Sequence, residues 1–330
     1  MSLNEFELIA AYFEKEPKQP SVIKSVGDDC AIVSVEPSYD LVMSMDTLVA
    51  GRHFPNSASP KQIATRAFCT CLSDLAAMGA RPQWFTLALT LPSADPSWLN
   101  EFSQSLLSIA DEFDCDLIGG DTAQGPLTIT LQVHGVVKHQ QAFTRCAAKV
   151  GDLVFVSGPL GDGAAALSLL LNSKKFLGVD DQQKKYLIER FYRPTPQIKL
   201  GQFLSKYANA AIDISDGLLA DLQHVANASH VDIEVDVDQI PISDACKTIA
   251  DNHVESLRYA LSGGDDYQLA FTVSPENSAV LESLIQQKSV DVVKIGRVVE
   301  LNSGAPSVRC FEEGRLLSYD NQKGYQHFAS

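Results

Sequence analysis

Residues 210–226 read AAIDISDGLLADLQHVA. A short apolar run, an Asp-Ile-Ser-Asp-Gly turn and a stretch with apolar residues at helical spacing spell strand, turn and helix. The same grammar recurs on both sides. Upstream, LVFVSG (153–158) reads as a strand, PLGDGAAALSLLL opens a helix, and YRPTPQIKLGQFLSKYA is an interrupted helical segment. Downstream, YQLAFTV (267–273) and DVVKIGRVV (291–299) read as strands flanking a helical stretch from Glu276 to Gln287. In the first half, helices are expected over Leu3–Phe13, over 59–79 with Ser59 as cap, Pro60 at the first position and Gly79 at the end, and over Ser97–Phe113. YDLVMSMD (39–46), WFTLALTLP (84–92) and LTITLQVHGVV (127–137) read as strands, and DLIGGDT (116–122) as a strand running into a tight turn. Both halves mix strands with helices, so the fold class is α/β (α+β mixed). A length of 330 residues suggests two domains. Their junction is placed near AAKVGD (147–152), giving domains 1–148 and 149–330.

Composition narrows the function. Hydrophobic residues make up 45% and charged residues 20%, as in a soluble globular protein. Lys plus Arg number 26 against 41 Asp plus Glu, a net charge of −15. Such a surface repels nucleic acid and anionic membranes, so neither is an expected partner. A phosphorylated ligand would need something other than bulk charge to hold it. No run reaches the roughly 18 apolar residues of a membrane span. The start, MSLNEFELIAAYFEKE, lacks the basic n-region of a secretory signal. Seven scattered cysteines without a CxxC read as reduced thiols of a cytoplasmic protein.

The strongest chemical signal is a set of acidic turns: Gly27-Asp28-Asp29, Ser44-Met45-Asp46-Thr47, Ser73-Asp74, Gly119-Gly120-Asp121-Thr122, Asp213-Ile214-Ser215-Asp216-Gly217 and Gly263-Gly264-Asp265-Asp266. Taken singly, each could be an N-cap or a solvated turn. Jointly, closely spaced carboxylates beside apolar runs repel one another unless a cation sits among them. Oxygen ligands of this kind suit Mg²⁺, which takes one or two carboxylates plus substrate phosphates, and paired glycines let backbone N–H groups approach a phosphate. The constellation favours a multi-metal phosphate site. GxxxxGK[ST], the protein-kinase motifs and GxSxG are all missing. SGPLGDGAAAL (157–167) has its glycines in the wrong order for GxGxxG and reads as a turn feeding a helix. Arg145 could meet a nucleotide phosphate or be an ordinary surface cation. His53 could line the Asp46 pocket or be structural, and Tyr325 could face a ligand or dock the tail on the core.

In order, GDDCA (27–31), MDTLVAGRHF (45–54), LSDLAAMGARP (72–82), LIGGDT (117–122), the TR at 144–145, IDISDGL (212–218), SGGDDY (262–267) and KGYQHF (323–328) resemble the thiamine-monophosphate kinase family of the aminoimidazole ribonucleotide synthetase superfamily. The resemblance implies the two-domain fold of that superfamily, with an N-terminal dimerisation domain pairing through its sheet and a C-terminal α/β domain completing the active site. It implies transfer of the γ-phosphoryl group of ATP to thiamine monophosphate, with ATP and several Mg²⁺ ions held between the domains of a homodimer. Carried over by motif, Asp29, Ser44, Met45, Asp46, Asp74, Asp121, Asp213 and Asp216 would form the metal shell. Met45 stands where relatives often carry a hydroxyl, so its contact would use the backbone. Gly120, Asp121, Arg145 and Ser215 would hold the nucleotide, and His53, Asp265 and Tyr325 would face thiamine monophosphate. Asp265 replaces the family's usual Glu, keeping the charge on a side chain one methylene shorter. No side chain is expected to act as a covalent catalyst.

Two kinds of rival are weighed against this: another enzyme of the superfamily, such as selenophosphate synthetase, aminoimidazole ribonucleotide synthetase or the hydrogenase-maturation protein, and a non-enzymatic protein. Selenophosphate synthetase uses a reactive residue near its N-terminus, whereas the first cysteine here is Cys30; the hydrogenase-maturation protein ends in a modified cysteine, whereas this chain ends HFAS. A non-enzymatic acidic protein that buffers divalent cations would have no need of the Gly-Gly approaches.

Overall fold

The computed structural model describes residues 5–172, 176, 178–287, 290–302, 304–317 and 324. They fall into two compact units. The first takes the chain up to Leu75 together with Ala80–Gln141, and the second takes Ala76–Gly79 and the chain from Ala142 onward.

The first unit is built from α1 (Glu5–Tyr12), β1 (Val22–Lys24), β2 (Ile32–Val33), β3 (Tyr39–Val49), most of α2 (Pro60–Ala77), β4 (Arg81–Leu91), α3 (Pro96–Glu112), β5 (Asp116–Gln124) and β6 (Thr128–Lys138). Four strands form a sheet in the order β3-β6-β4-β5, with β4 parallel to β5 and the other pairs antiparallel. Because strand side chains alternate, β3 turns Ser44, Asp46 and Leu48 to one face. Leu41, Met43, Met45 and Val49 are exposed on the other. Helix α2 covers the first face. Its Phe68 meets Phe85 of β4 edge-on at 5.2 Å, and the Cys71 thiol donates to the Leu131 carbonyl of β6 at 3.4 Å. A reciprocal cap starts this helix. The Gln62 N–H donates to Ser59 Oγ at 3.2 Å, while the Ser59 N–H donates to Gln62 Oε1 at 2.9 Å. In α3 the residues Leu99, Phe102, Leu106 and Ile109 form the buried stripe that the helical period requires.

Of the acidic segments, Ser73-Asp74 lies in the helix read over 59–79, and two expected as turns lie inside strands. Ser44–Thr47 is mid-strand because β6 partners β3 without a break from Tyr39↔Lys138 to Val49↔Thr128. Asp74 belongs to α2, and Gly119–Thr122 lies within β5, paired with Thr86–Leu89 of β4.

The second unit contains β7 (Leu153–Val156), α4 (Asp162–Leu171), α5 (Asp181–Tyr192), α6 (Ile198–Leu204), β8 (Ala208–Asp213), α7 (Leu218–Ser229) and β9 (Asp232–Asp236). It continues through α8 (Asp244–Ile249), α9 (His253–Ser262), β10 (Leu269–Val273), α10 (Pro275–Gln286), β11 (Val293–Val299), β12 (Val308–Glu312) and β13 (Arg315–Leu316). Its seven strands run β13-β12-β9-β11-β7-β10-β8. Only the β12–β9 pair among them is parallel. The chain therefore has the mixed α/β architecture expected. Val154, Val156, Ile212, Ile233, Val235 and Ile295 of the sheet pack with Leu218, Leu222 and Val225 of α7. Each such burial contributes about 1.5–3 kcal/mol relative to exposure. Segment 210–226 is strand, turn and helix, with the turn at Ile214–Gly217 between β8 and α7. No described helix is long and apolar enough to cross a membrane.

Candidate active site

In the first unit the carboxylates gather where β3 faces α2. The Ser44 hydroxyl donates to Asp74 Oδ2, which ties the strand to the helix through a charged group. Asp46, two residues along on the same face, has burial and the Asp74 charge acting on it in the same direction. Together they push its carboxyl up to about 6. The Cys71 thiol lies under both acids, and burial followed by their charges raises it well above its usual range. It serves as packing.

Register separates the other first-unit residues from this pair. Asp46 pairs with Leu131, Leu131 with Leu87, and Leu87 with Gly120. Gly120 and the exposed Asp121 therefore lie on the opposite edge strand, about 14 Å from β3 at the usual strand spacing. Asp29 sits in the exposed 27–31 loop, its N–H donating to Asp28 Oδ1 at 2.9 Å. Asp28 in turn lies 3.5 Å from Lys24. His53 accepts the Val49 N–H on Nδ1 at 2.9 Å, and its carbonyl accepts Arg66 Nε at 3.0 Å. An accepting Nδ1 places the ring proton on Nε2, so this histidine helps build the turn that follows β3.

In the second unit two turns interlock. Asp213 ends β8 and is buried, while Ser215 and Asp216 follow in the half-buried turn. The N-cap position of α7 is taken by Gly217, with φ 121°, rather than by Asp216. Instead Asp221 reaches back, its Oδ2 accepting the N–H groups of Ser215, Asp216 and Gly217 at 3.1, 3.2 and 3.1 Å. Burial, then the nearby Asp216 charge, lifts the Asp221 carboxyl to about 7 against those three donors. The 263–266 turn docks on this one: Asp265 N–H donates to the Ser215 carbonyl and Tyr267 N–H to the Ile214 carbonyl, both at 2.8 Å. On its far side the fully buried Asp266 accepts the N–H groups of Gly161 and Gly163 at 2.8 and 3.1 Å. The loop 157–163, which feeds α4 as expected, is thereby fastened to the acidic turns. Gly324 also packs here, where an added Cβ would lie 2.6 Å from Ala220 Cβ and 2.8 Å from the Asp216 carbonyl. Tyr325 itself lies outside the described residues. Arg145 is exposed, and its carbonyl accepts the Ser229 hydroxyl at 2.8 Å. Sequence reasoning passed over Asp221 and assigned no role to Asp266 or Tyr267. The signal available for Asp221 was an acid within the first turn of the helix that follows the Asp-Gly pair.

Among the described residues, no three Asp, Glu, His or Cys side chains stand together closely enough to hold a metal ion unaided. The acids are instead Asp46 beside Asp74 and, on the β8–α7 connection, Asp213 at the strand end with Asp216 three residues on. That donor set fits Mg²⁺ beside a nucleotide, where one or two carboxylates are completed by phosphate oxygens and water.

Residues 27–137 match the family model for the AIR synthase related protein N-terminal domain, and 149–309 match the corresponding C-terminal domain. The chain is 44% identical, over the full length of both chains, to thiamine-monophosphate kinase of Salmonella typhimurium (strain LT2). The chain belongs to the thiamine-monophosphate kinase family. Its structure is similar to that of thiamine-monophosphate kinase from Stenotrophomonas maltophilia K279a, with 38% identity and a TM-score of 0.81 over 88% of this chain and 92% of that one. It is also similar to AaThiL complexed with AMPPCP and TMP, with 34% identity and a TM-score of 0.76 over 92% of each chain.

Proposed function

We propose that this chain transfers the γ-phosphoryl group of ATP to thiamine monophosphate, giving thiamine diphosphate and ADP. The observation that carries the reading is the presence of paired carboxylates on β3, α2 and the β8–α7 turn in a chain of full-length likeness to a thiamine-monophosphate kinase. Likeness to AaThiL, which was captured with AMPPCP and TMP, supports ATP as co-substrate. In this reading Asp29, Ser44, Asp46, Asp74, Asp121, Asp213, Asp216 and the Met45 backbone hold several Mg²⁺ ions. Gly120, Asp121, Arg145 and Ser215 hold the nucleotide; His53, Asp265 and Tyr325 face thiamine monophosphate.

When bound, Mg²⁺ supplies the charge neutralisation that lets phosphates approach a chain of net charge −15. The protein's own task is then positioning, which is most of what phosphoryl transfer asks of an enzyme. A terminal phosphate oxygen of thiamine monophosphate forms the new bond to the γ-phosphorus as the bond to the ADP oxygen breaks in line. That oxygen is already deprotonated at neutral pH, so no side chain need take a proton from it. The domain up to residue 148 would bind ATP and dimerise, and residues 149–330 would complete the site. Support for a homodimer comes from the outer face of β3, where Leu41, Met43 and Met45 are 40%, 57% and 57% exposed in a row. Seven free thiols suit a cytoplasmic setting.

The test is incubation with ATP and Mg²⁺, with thiamine monophosphate and thiamine compared as acceptors and products weighed by mass spectrometry. Thiamine diphosphate formed only from the monophosphate is the expected result. ADP release with no phosphorylated product from either acceptor would remove the substrate assignment.

A further inference from the structure

We propose that Tyr267 is a positioning residue that aims the Asp265 carboxylate at the acceptor substrate. The inference rests on the reading of Asp265 as a contact to thiamine monophosphate. Asp265 and Tyr267 have φ values of 61° and 51°. Asp tolerates the left-handed region, but a bulky Tyr there is strained and persists only where its surroundings over-determine it. The surroundings do so here. The N–H groups of both residues are held at 2.8 Å by carbonyls of the β8–α7 turn. Asp266 between them is locked into the start of α4 by two N–H donors. An added Cβ on Gly163 would come within 2.4 Å of the Asp265 carbonyl, so that wall has no slack.

This conformation brings the two side chains together, and the Tyr267 hydroxyl donates to Asp265 Oδ1 at 2.9 Å. A hydroxyl bonded to a carboxylate makes a charge-assisted hydrogen bond that fixes the orientation of the acid. A carboxylate fixed before binding spares the ordering cost that a mobile side chain pays when a ligand arrives. It repels phosphates, so its complement is the cationic, amino-bearing organic part of the acceptor rather than ATP. Loss of the hydroxyl therefore acts on one substrate only, and only through Asp265.

The experiment measures KM for thiamine monophosphate and for ATP, together with the thermal midpoint, in wild type, Tyr267→Phe, Asp265→Ala and the double variant. Tyr267→Phe is expected to raise KM for thiamine monophosphate about tenfold, with KM for ATP unmoved. In the Asp265→Ala background it is expected to add nothing. An equal rise in both backgrounds would overturn the proposal, because Tyr267 would then act without Asp265, whether by touching substrate or through the fold. No rise from Tyr267→Phe, while Asp265→Ala raises KM, would overturn it too. If Asp265→Ala itself leaves KM for thiamine monophosphate unchanged, it is the assignment of Asp265 as a substrate contact that fails.

Discussion

At Gly120 an ideal Cβ would sit 1.9 Å from the Leu87 carbonyl oxygen. The glycine pair in LIGGDT therefore has a packing reason besides any approach to phosphate: it lets β5 lie against β4 and present Asp121 at the next position. Gly120→Ala is expected to cost at least about 3 kcal/mol, read as a lowered urea midpoint. Asp266 carries a different prediction. Burial pushes its carboxyl up to about 7, with Asp162 adding to the rise and the two N–H donors and Arg190 opposing it. A carboxyl raised in the folded state stabilises the fold fully at acid pH, and that contribution is lost as pH climbs towards and through 7. Wild type should accordingly lose on the order of 2 kcal/mol relative to Asp266→Asn between pH 5 and pH 8, measured by denaturant titration at both values. The sequence marked Gly-Gly-Asp-Asp as important. It did not distinguish the half-buried Asp265 from the fully buried Asp266, because that difference is made by Gly161 and Gly163, about a hundred residues away.

Among the elements, periodicity carried the reading well where packing agrees with it. Helix α2 begins with the Ser59 cap as read, and the 210–226 segment resolves into β8, turn and α7. Periodicity did less well where acidic residues imitate turns. Asp46 and Asp121 lie within strands because β6 and β4 supply ladder partners along the whole of β3 and β5, and such long-range pairing leaves no local trace. The N-terminus of α7 is the clearest case of a role hidden from the sequence. Asp216 looks like its cap, yet Asp221 does the work by accepting three backbone N–H groups. Asp221→Ala would leave three donors without that acceptor, at an expected cost of about 2–4 kcal/mol. Asp221→Asn should recover part of the loss, since one carbonyl oxygen remains. Urea denaturation of both variants checks the order.

For the molecule as a whole, each of the two compact units carries its own buried acidic side chains, on a chain of net charge −15. The outer face of β3 supplies the whole-molecule prediction. If it joins two copies, Met43→Glu should shift a sedimentation profile from dimer to monomer, whereas an unchanged profile would assign the stripe no such role. The family resemblance carried activity and fold together because eight motifs in order span nearly the entire chain. The geometry adds which motifs touch: Ser44 with Asp74, and SGGDDY with IDISDG. The most direct measurement is the Mg²⁺ dependence of thiamine diphosphate formation in Asp46→Asn and Asp213→Asn, one acid from each unit. Each single variant is predicted to lower kcat/KM by about a hundredfold or more and to raise the Mg²⁺ concentration needed for half-maximal rate. Near wild-type turnover with an unaltered Mg²⁺ requirement in either variant would contradict the account.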